Sequence, residues 1–204
     1  MGKYLKALNC ALYALRIQEK LWGNGDIETA VSVSNLAAIY QKLDDYKNAL
    51  HYSERALAMK KSIFGEDSVS LATSLDNLST IYCDLGNLEQ ALQYACEALE
   101  IRKKYLGEGH ADIAISYSNL GSIYWSMEKF EQALQCYTKA LEIRFKLFGI
   151  DNKSVGKSVT DIFTICDSMG ASERASKFCQ DLFGDEYSEV ERIKQQWMKT
   201  KNKQ

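Results

Sequence analysis

A period of 42 residues runs through almost the whole chain and constrains its fold more than any other feature. Three segments align without a gap: residues 30–65 (AVSVSNLAAIYQKLDDYKNALHYSERALAMKKSIFG), 72–107 (ATSLDNLSTIYCDLGNLEQALQYACEALEIRKKYLG) and 114–149 (AISYSNLGSIYWSMEKFEQALQCYTKALEIRFKLFG). Their shared skeleton is an Ala, then Asn-Leu, Ile-Tyr, two Ala-Leu or Ala-Leu-Glu-Ile steps and a closing Gly. A fourth copy begins at Gly156, keeps Asp161, Ile165, Ala175 and Leu182, and decays after FCQDLFG, as a terminal repeat facing solvent does. Residues 4–23 match only the second half of the unit, since Ala7, Ala14 and Gly23 stand 42 residues before Ala49, Ala56 and Gly65. A unit of this size cannot hide its apolar face alone, so neighbouring units must stack.

Within a unit, Leu78, Ile81, Tyr82 and Leu85 form one run at helical spacing, and Leu88, Ala91, Leu92, Ala95, Ala98 and Leu99 form another. Each unit is therefore predicted to be two antiparallel helices. Small residues at Ala49, Ala56, Ala91, Ala98, Ala133 and Ala140 allow close approach, and Tyr40, Tyr82 and Tyr124 fill the space between repeats. The chain has no proline, so loops must end on Gly and short polar residues; Gly65, Gly107 and Gly149 fit a positive-φ helix stop. The tail, EYSEVERIKQQWMKTKNKQ (186–204), carries Tyr187, Val190, Ile193 and Trp197 at helical spacing and is predicted to cap the last repeat. From Arg192 onward it holds five Lys/Arg and no acid, which reads as a solvated end or as contact with an anionic surface.

These residues resemble the tetratricopeptide repeat: L-x-x-x-Y in the first helix (Leu36 to Tyr40, Leu78 to Tyr82, Leu120 to Tyr124) and A-x6-A in the second (Ala49 to Ala56 and its equivalents). The long period, the ALEIR second helix and the GEGHADIA linker (107–114) are similar to the repeats of the kinesin light chain, whose G-x-D-H-P-x-V-A linker differs here by Val69, Ala111 and Lys153 in place of proline. The resemblance implies an all-α, right-handed superhelical array of antiparallel helix pairs. Its expected parts are a lone helix over 1–23, four repeats over 24–185 with the last degenerate, and a capping helix with a basic tail over 186–204.

Composition narrows the function. With 46% hydrophobic and 25% charged residues the chain can bury a core, and a net charge of −2 gives no global case for nucleic acid or membrane as partner. No stretch is long and apolar enough to span a bilayer, and Gly2 lacks the Ser/Thr that a myristoylation acceptor wants at position six. The six cysteines contain no CxxC pair, and only His51 and His110 could complete a metal site. Free, mostly buried thiols in a reducing, cytoplasmic setting are expected, with no metal and no cofactor. His110 is expected in a loop hydrogen bond and His51 toward solvent. No phosphate-binding, dinucleotide, zinc-protease or nucleophile-elbow motif is present, and the chain reads as a non-enzyme.

The repeated Asn rises above architecture. Leu36, Ile39, Tyr40 and Leu43 share the packed face of one first helix, which leaves Ser34, Asn35, Ala38, Gln41 and Lys42 around the other side. In the tetratricopeptide family that side lines a concave groove, and an Asn before the Leu reaches a bound peptide backbone. The resemblance thus names Asn35, Asn77 and Asn119, with Asp161 in the fourth copy. An amide can donate to and accept from one peptide unit without reading its side chain; the same amides could instead tie one repeat to the next. Three such bonds, at about 0.5 to 1.5 kcal/mol each, do not outweigh an association cost of about 4 to 15 kcal/mol, so an apolar anchor is needed. Trp125, in the place of Gln41 and Cys83, is either that anchor or a ring folded over the next repeat.

Equivalent positions supply Lys42 and Lys157 against Asp76, Asp84, Asp161 and Asp167, an acidic balance that predicts a neutral or basic partner segment. Residues 4–22 leave an apolar face without a partner helix, which offers a different reading: a homodimer through that face, or an oligomerisation or regulatory module of a larger protein or complex.

Overall fold

The computed structural model describes residues 2–23, 25–65 and 68–201. They form two compact units, Met1–Tyr105 and Leu106–Gln204. The first is built from α1 (Gly2–Trp22), α2 (Ile27–Lys42), α3 (Tyr46–Phe64), α4 (Val69–Asp84) and α5 (Leu88–Leu106). The second is built from α6 (Ala111–Ser126), α7 (Phe130–Phe148), α8 (Lys153–Ser168), α9 (Ser172–Phe183) and α10 (Tyr187–Lys201), with a single 3-10 turn over Gly184–Glu186 before α10. No strand occurs among the described residues, and the fold class is the all-α helix-pair array that the period predicts.

Each helix pair closes through the same hydrogen-bonded turn, anchored on the Tyr of the Ile-Tyr motif in the first three pairs and on Cys166 in the fourth, whose carbonyl accepts from Ala171 N–H at 2.7 Å. The carbonyls of Tyr40, Tyr82 and Tyr124 accept from the backbone N–H of Asp45, Asn87 and Lys129 at 3.0, 2.9 and 2.9 Å. The residue before that donor takes a left-handed conformation: Asp44 (φ 59), Gly86 (φ 76), Glu128 (φ 58) and Gly170 (φ 66). Glycine adopts it freely, whereas Asp44 and Glu128 hold it at a cost that the turn bonds offset. The positive φ expected at Gly65, Gly107 and Gly149 is present, at 83, 76 and 71. N-caps come from short polar residues: Asp26 accepts from Thr29 N at 2.9 Å, Asn152 from Ser154 N at 2.9 Å, and His110 Nδ1 from Asp112 N at 3.2 Å, the loop bond its position implied.

Packing follows the periodic small residues. Ala49, Ala91 and Ala133 are all 0% exposed, and Ala56, Ala98 and Ala140 at most 1%. Tyr40 stacks on Tyr52 at 5.3 Å and Tyr82 on Tyr94 at 5.5 Å, each within its own helix pair. In unit 2, α8 is the central element: Val155, Val159, Ile162, Phe163 and Ile165 are buried, and α10 lies across it with Val190 in the same cluster. The thiols depart from expectation. All six are free, but only Cys166 and Cys179 are buried, while Cys96 is exposed at the outward-facing place of Glu54, and Cys10, at the place of Tyr52, is exposed because no first helix covers it among the described residues. Burial raises the Cys179 thiol to about 12, with Cys166 adding to it, so that thiol stays protonated and inert in the folded chain.

One helix crossing shows how the repeats compensate inside one sequence. A Cβ on Gly121 would lie 2.9 Å from the Tyr137 ring. The equivalent pairs elsewhere are Ala37 with Ser53 and Ser79 with Ala95, so the large partner occurs only opposite the glycine. Gly121→Val should therefore destabilise by about 2 kcal/mol through overpacking. Urea denaturation of this variant, of Tyr137→Ala and of the pair should give a double mutant less damaged than the sum of the singles by at least about 1 kcal/mol.

Candidate functional site

The first helices carry their periodic Asn on the side away from the packed Leu. Asn35 on α2 is exposed, and Asn77 on α4, Asn119 on α6 and Asp161 on α8 are half-buried. Among the described residues none of the three Asn side chains makes a hydrogen bond within the chain, and none of their polar atoms is both buried and unbonded. Their amides are therefore accessible and uncommitted.

The second helices carry a cation at the same place in each aligned repeat, a basic column of the alignment: Lys60, Arg102 and Arg144, each 42 residues from the next. Lys60 Nζ donates to Ser74 Oγ at 2.8 Å, and Arg144 donates to Ser158 Oγ at 2.5 Å and to the Ala114 carbonyl at 3.4 Å. Arg102 pairs with Asp76 at 2.5 Å. Ser74 and Ser158 stand three residues before Asn77 and Asp161, so within each unit the bond lies one helical turn from that position. Burial lowers the pKa of both Lys60 and Arg144, the cost of holding a cation in that position. The signal was present in the sequence as a basic residue recurring at the same place in each of three second helices.

The column revises the charge expected of the face. Asp76 is 8% exposed and ion-paired with Arg102 across its own helix pair, so it does not present a groove carboxylate. Asp161 has its pKa raised, chiefly by burial, while Lys157 and Arg144 act in the opposite direction. Asp84 is exposed and accepts from Gln41 Nε2 at 2.6 Å, a bond that links α2 to α4. Of the four acids counted from sequence, Asp76 is thus neutralised by Arg102 and Asp161 faces Lys157 and Arg144, while Asp84 bonds to a neutral amide and Asp167 to the Ser172 hydroxyl.

Trp125 is half-buried. Its ring meets Phe130 edge-on at 5.5 Å and packs against the core cluster of unit 2, which leaves part of one surface open. Exposed apolar side chains lie instead one turn before the Asn rungs: Val31, four residues before Asn35, is 42% exposed, and Ile115, four before Asn119, is 45% exposed. At the other end of each rung Ala38, Thr80 and Ser122 are exposed and small. Apolar, amide and small residues thus succeed one another along a first helix, a strip that an extended chain can follow. His51 is exposed, and no group of three metal-ligating side chains occurs among the described residues. No helix among them is long and apolar enough to cross a membrane.

The profile of the tetratricopeptide repeat family matches residues 1–62, 28–104 and 70–144, most of the chain. No curated protein sequence matches it. Among solved structures, BtubC (BKLC) from P. vanneervenii is similar with a TM-score of 0.78 at 26% identity, covering 95% of this chain and 74% of that one. A kinesin light chain candidate of Podosopora anserina with nearly identical TPR-like repeats gives 0.74 at 18% identity, covering 95% and 88%. A Rap protein solved in complex with the competence and sporulation factor gives 0.71 at 18% identity, covering 93% of this chain and 50% of that one.

Proposed function

The chain belongs to the tetratricopeptide repeat family, and from that premise we propose that it is a non-enzymatic interaction scaffold that binds an extended peptide segment of a partner protein along its first-helix faces. The observation that carries this reading is the uncommitted state of Asn35, Asn77 and Asn119. None of the three is buried, so each amide can exchange its water for a ligand group. They recur at a fixed period without a hydrogen bond inside the described chain, while neighbouring cations hold the helices through their own bonds. Each amide can donate to and accept from one backbone unit of a bound chain. Val31 and Ile115 supply apolar area next to two of the rungs, and the open edge of Trp125 adds to it. With Asp76 held by Arg102, recognition rests on the peptide backbone and on apolar contacts more than on net charge.

The test is a peptide selected for binding from a random library, with its affinity measured against variants. Asn77→Ala combined with Asn119→Ala should weaken binding between about 5-fold and 150-fold, two hydrogen bonds of about 0.5 to 1.5 kcal/mol each, while circular dichroism and thermal midpoint stay unchanged. Undiminished affinity in the double variant would remove the reading.

A further inference from the structure

Stacked tyrosines fill the middle of the first two helix pairs, and the fourth pair lacks the ring of its first helix. Tyr40 of α2 stacks on Tyr52 of α3 at 5.3 Å with the rings 8° from parallel, and Tyr82 of α4 stacks on Tyr94 of α5 at 5.5 Å and 19°. The third pair keeps its first-helix ring, Tyr124, opposite Cys136. In the fourth the same two places hold Cys166 on α8 and Phe178 on α9. The exchange removes a phenol ring, and among the described residues no ring stacks on Phe178. At this point unit 2 has a pocket of about 210 Å³ between α7, α8 and α9. Leu134, Ile162, Cys166 and Ala175 form its buried floor, and half-buried Phe178 is its aromatic wall. The space marks the one place in the array where the first-helix ring is missing.

We propose that this pocket binds a small monocyclic phenol as a free ligand, its ring stacked on Phe178 in the place that Tyr40 and Tyr82 hold in their own pairs. An apolar cavity of about 150 Å³ takes up benzene, so this one has room for a ring with one polar substituent. Stacking on Phe178 favours an aromatic ring over a saturated one of the same outline. The rim sets the direction of the polar group: Gln135, Thr138 and Arg174 line the mouth, so the hydroxyl points outward and the apolar edge of the ring points to the floor. Arg174 is held by Glu131 of α7 at 2.7 Å, which favours a neutral ligand over a carboxylate. A ring presented by a partner protein suits the pocket less well. Every exposed residue of α9 is polar, as are Gln135 and Lys139 on α7, so a partner's surface around that ring finds no apolar contact to offset the cost of association. The pocket shares no residue with the Asn rungs, so either assignment can fail alone.

The probe is p-cresol, the side chain of tyrosine, titrated into the full chain with methyl NMR resonances as the readout. Its Kd should be about 1 mM or tighter, with saturable shifts at the Leu134 and Ile162 methyls and none at Ile81 of unit 1. The saturated counterpart, 4-methylcyclohexanol, should bind about 2-fold to 12-fold more weakly, and Phe178→Leu should weaken p-cresol over the same range. Cys166→Tyr, which restores the ring of the other repeats, should abolish binding while circular dichroism stays that of the parent. Phe178→Leu, at a half-buried position, carries the test if Cys166→Tyr does not fold. The proposal is overturned by the absence of a saturable shift at about 10 mM p-cresol, by equal affinity for the saturated ring, or by unchanged binding in Phe178→Leu or in folded Cys166→Tyr. Tighter binding of the capped tripeptide Gly-Tyr-Gly than of p-cresol would also overturn it, and would give the pocket to a partner's side chain.

Discussion

Asp76→Ala is expected to lower the unfolding free energy by about 3 to 5 kcal/mol, one of the largest effects of a single surface-to-core change in this chain. The sequence presents Asp76 as one acid among several on an exposed helix side. In the fold it is buried and pairs with Arg102, which is itself 5% exposed. Taking two charges out of water is costly, and the close pair recovers that cost only while both partners are present. Truncation of the aspartate leaves a guanidinium in a low-dielectric site without its counter-charge, and that penalty sets the magnitude. Urea denaturation at constant ionic strength measures it. Asp76→Leu with Arg102→Met, which removes both charges and fills the space, should fall within about 1.5 kcal/mol of the parent. If Asp76→Ala cost no more than an exposed ion pair, about 1 kcal/mol or less, the site would be wetter than its burial indicates.

How much of this was legible beforehand depends on which side of the period a residue falls. Positions that repeat for packing were readable without coordinates: Ala49, Ala91 and Ala133 could be placed at a close helix approach, and Gly65, Gly107 and Gly149 at the helix stop, because one sequence supplied three aligned copies. The exposure of Asn35 was legible too, since helical geometry sets it about 100° round the helix from Leu36, outside the packed stripe. The partners of polar side chains were not. Asp76 and Asp84 look alike in sequence, yet one is buried against Arg102 and the other exposed and bonded to Gln41. That difference is made by a cation 26 residues away on another helix, which no local pattern encodes. Val31 and Ile115 were passed over for a similar reason: an isolated aliphatic residue on a helix is read as core, and only the fold shows that both point outward. Trp125 is half-buried against the core cluster of unit 2, and Phe130, which belongs to the next helix, meets its ring edge-on, a contact that its place after Tyr124 does not reveal.

Val190→Asp is expected to release α10 from unit 2 at neutral pH, with a loss of at least about 4 kcal/mol. Val190 is 0% exposed and lies in the cluster with Phe163, while Tyr187, Ile193 and Trp197 pack around it and Trp197 Nε1 donates to Thr164 Oγ1 at 3.1 Å. An ionised carboxylate there is set among apolar side chains, and Lys194, one turn on and over the Phe163 ring at 5.5 Å, is already engaged by Ser176 and Glu191, so undocking the helix costs less than burying the charge. Protease cleavage within α10 and a red shift of the Trp197 emission, read in a chain whose Trp22 and Trp125 are replaced by Phe, report the release. The pH dependence follows from linkage. The docked state raises the introduced carboxyl above its usual value of about 3.9, so docking binds a proton that the released helix gives up. The stability of the docked state is then fully present below that usual value and is lost as pH rises through the raised one. Acidification from about pH 7 toward about pH 4 should restore docking in Val190→Asp, whereas Val190→Asn, polar but without a proton to bind, should show the defect with no such recovery.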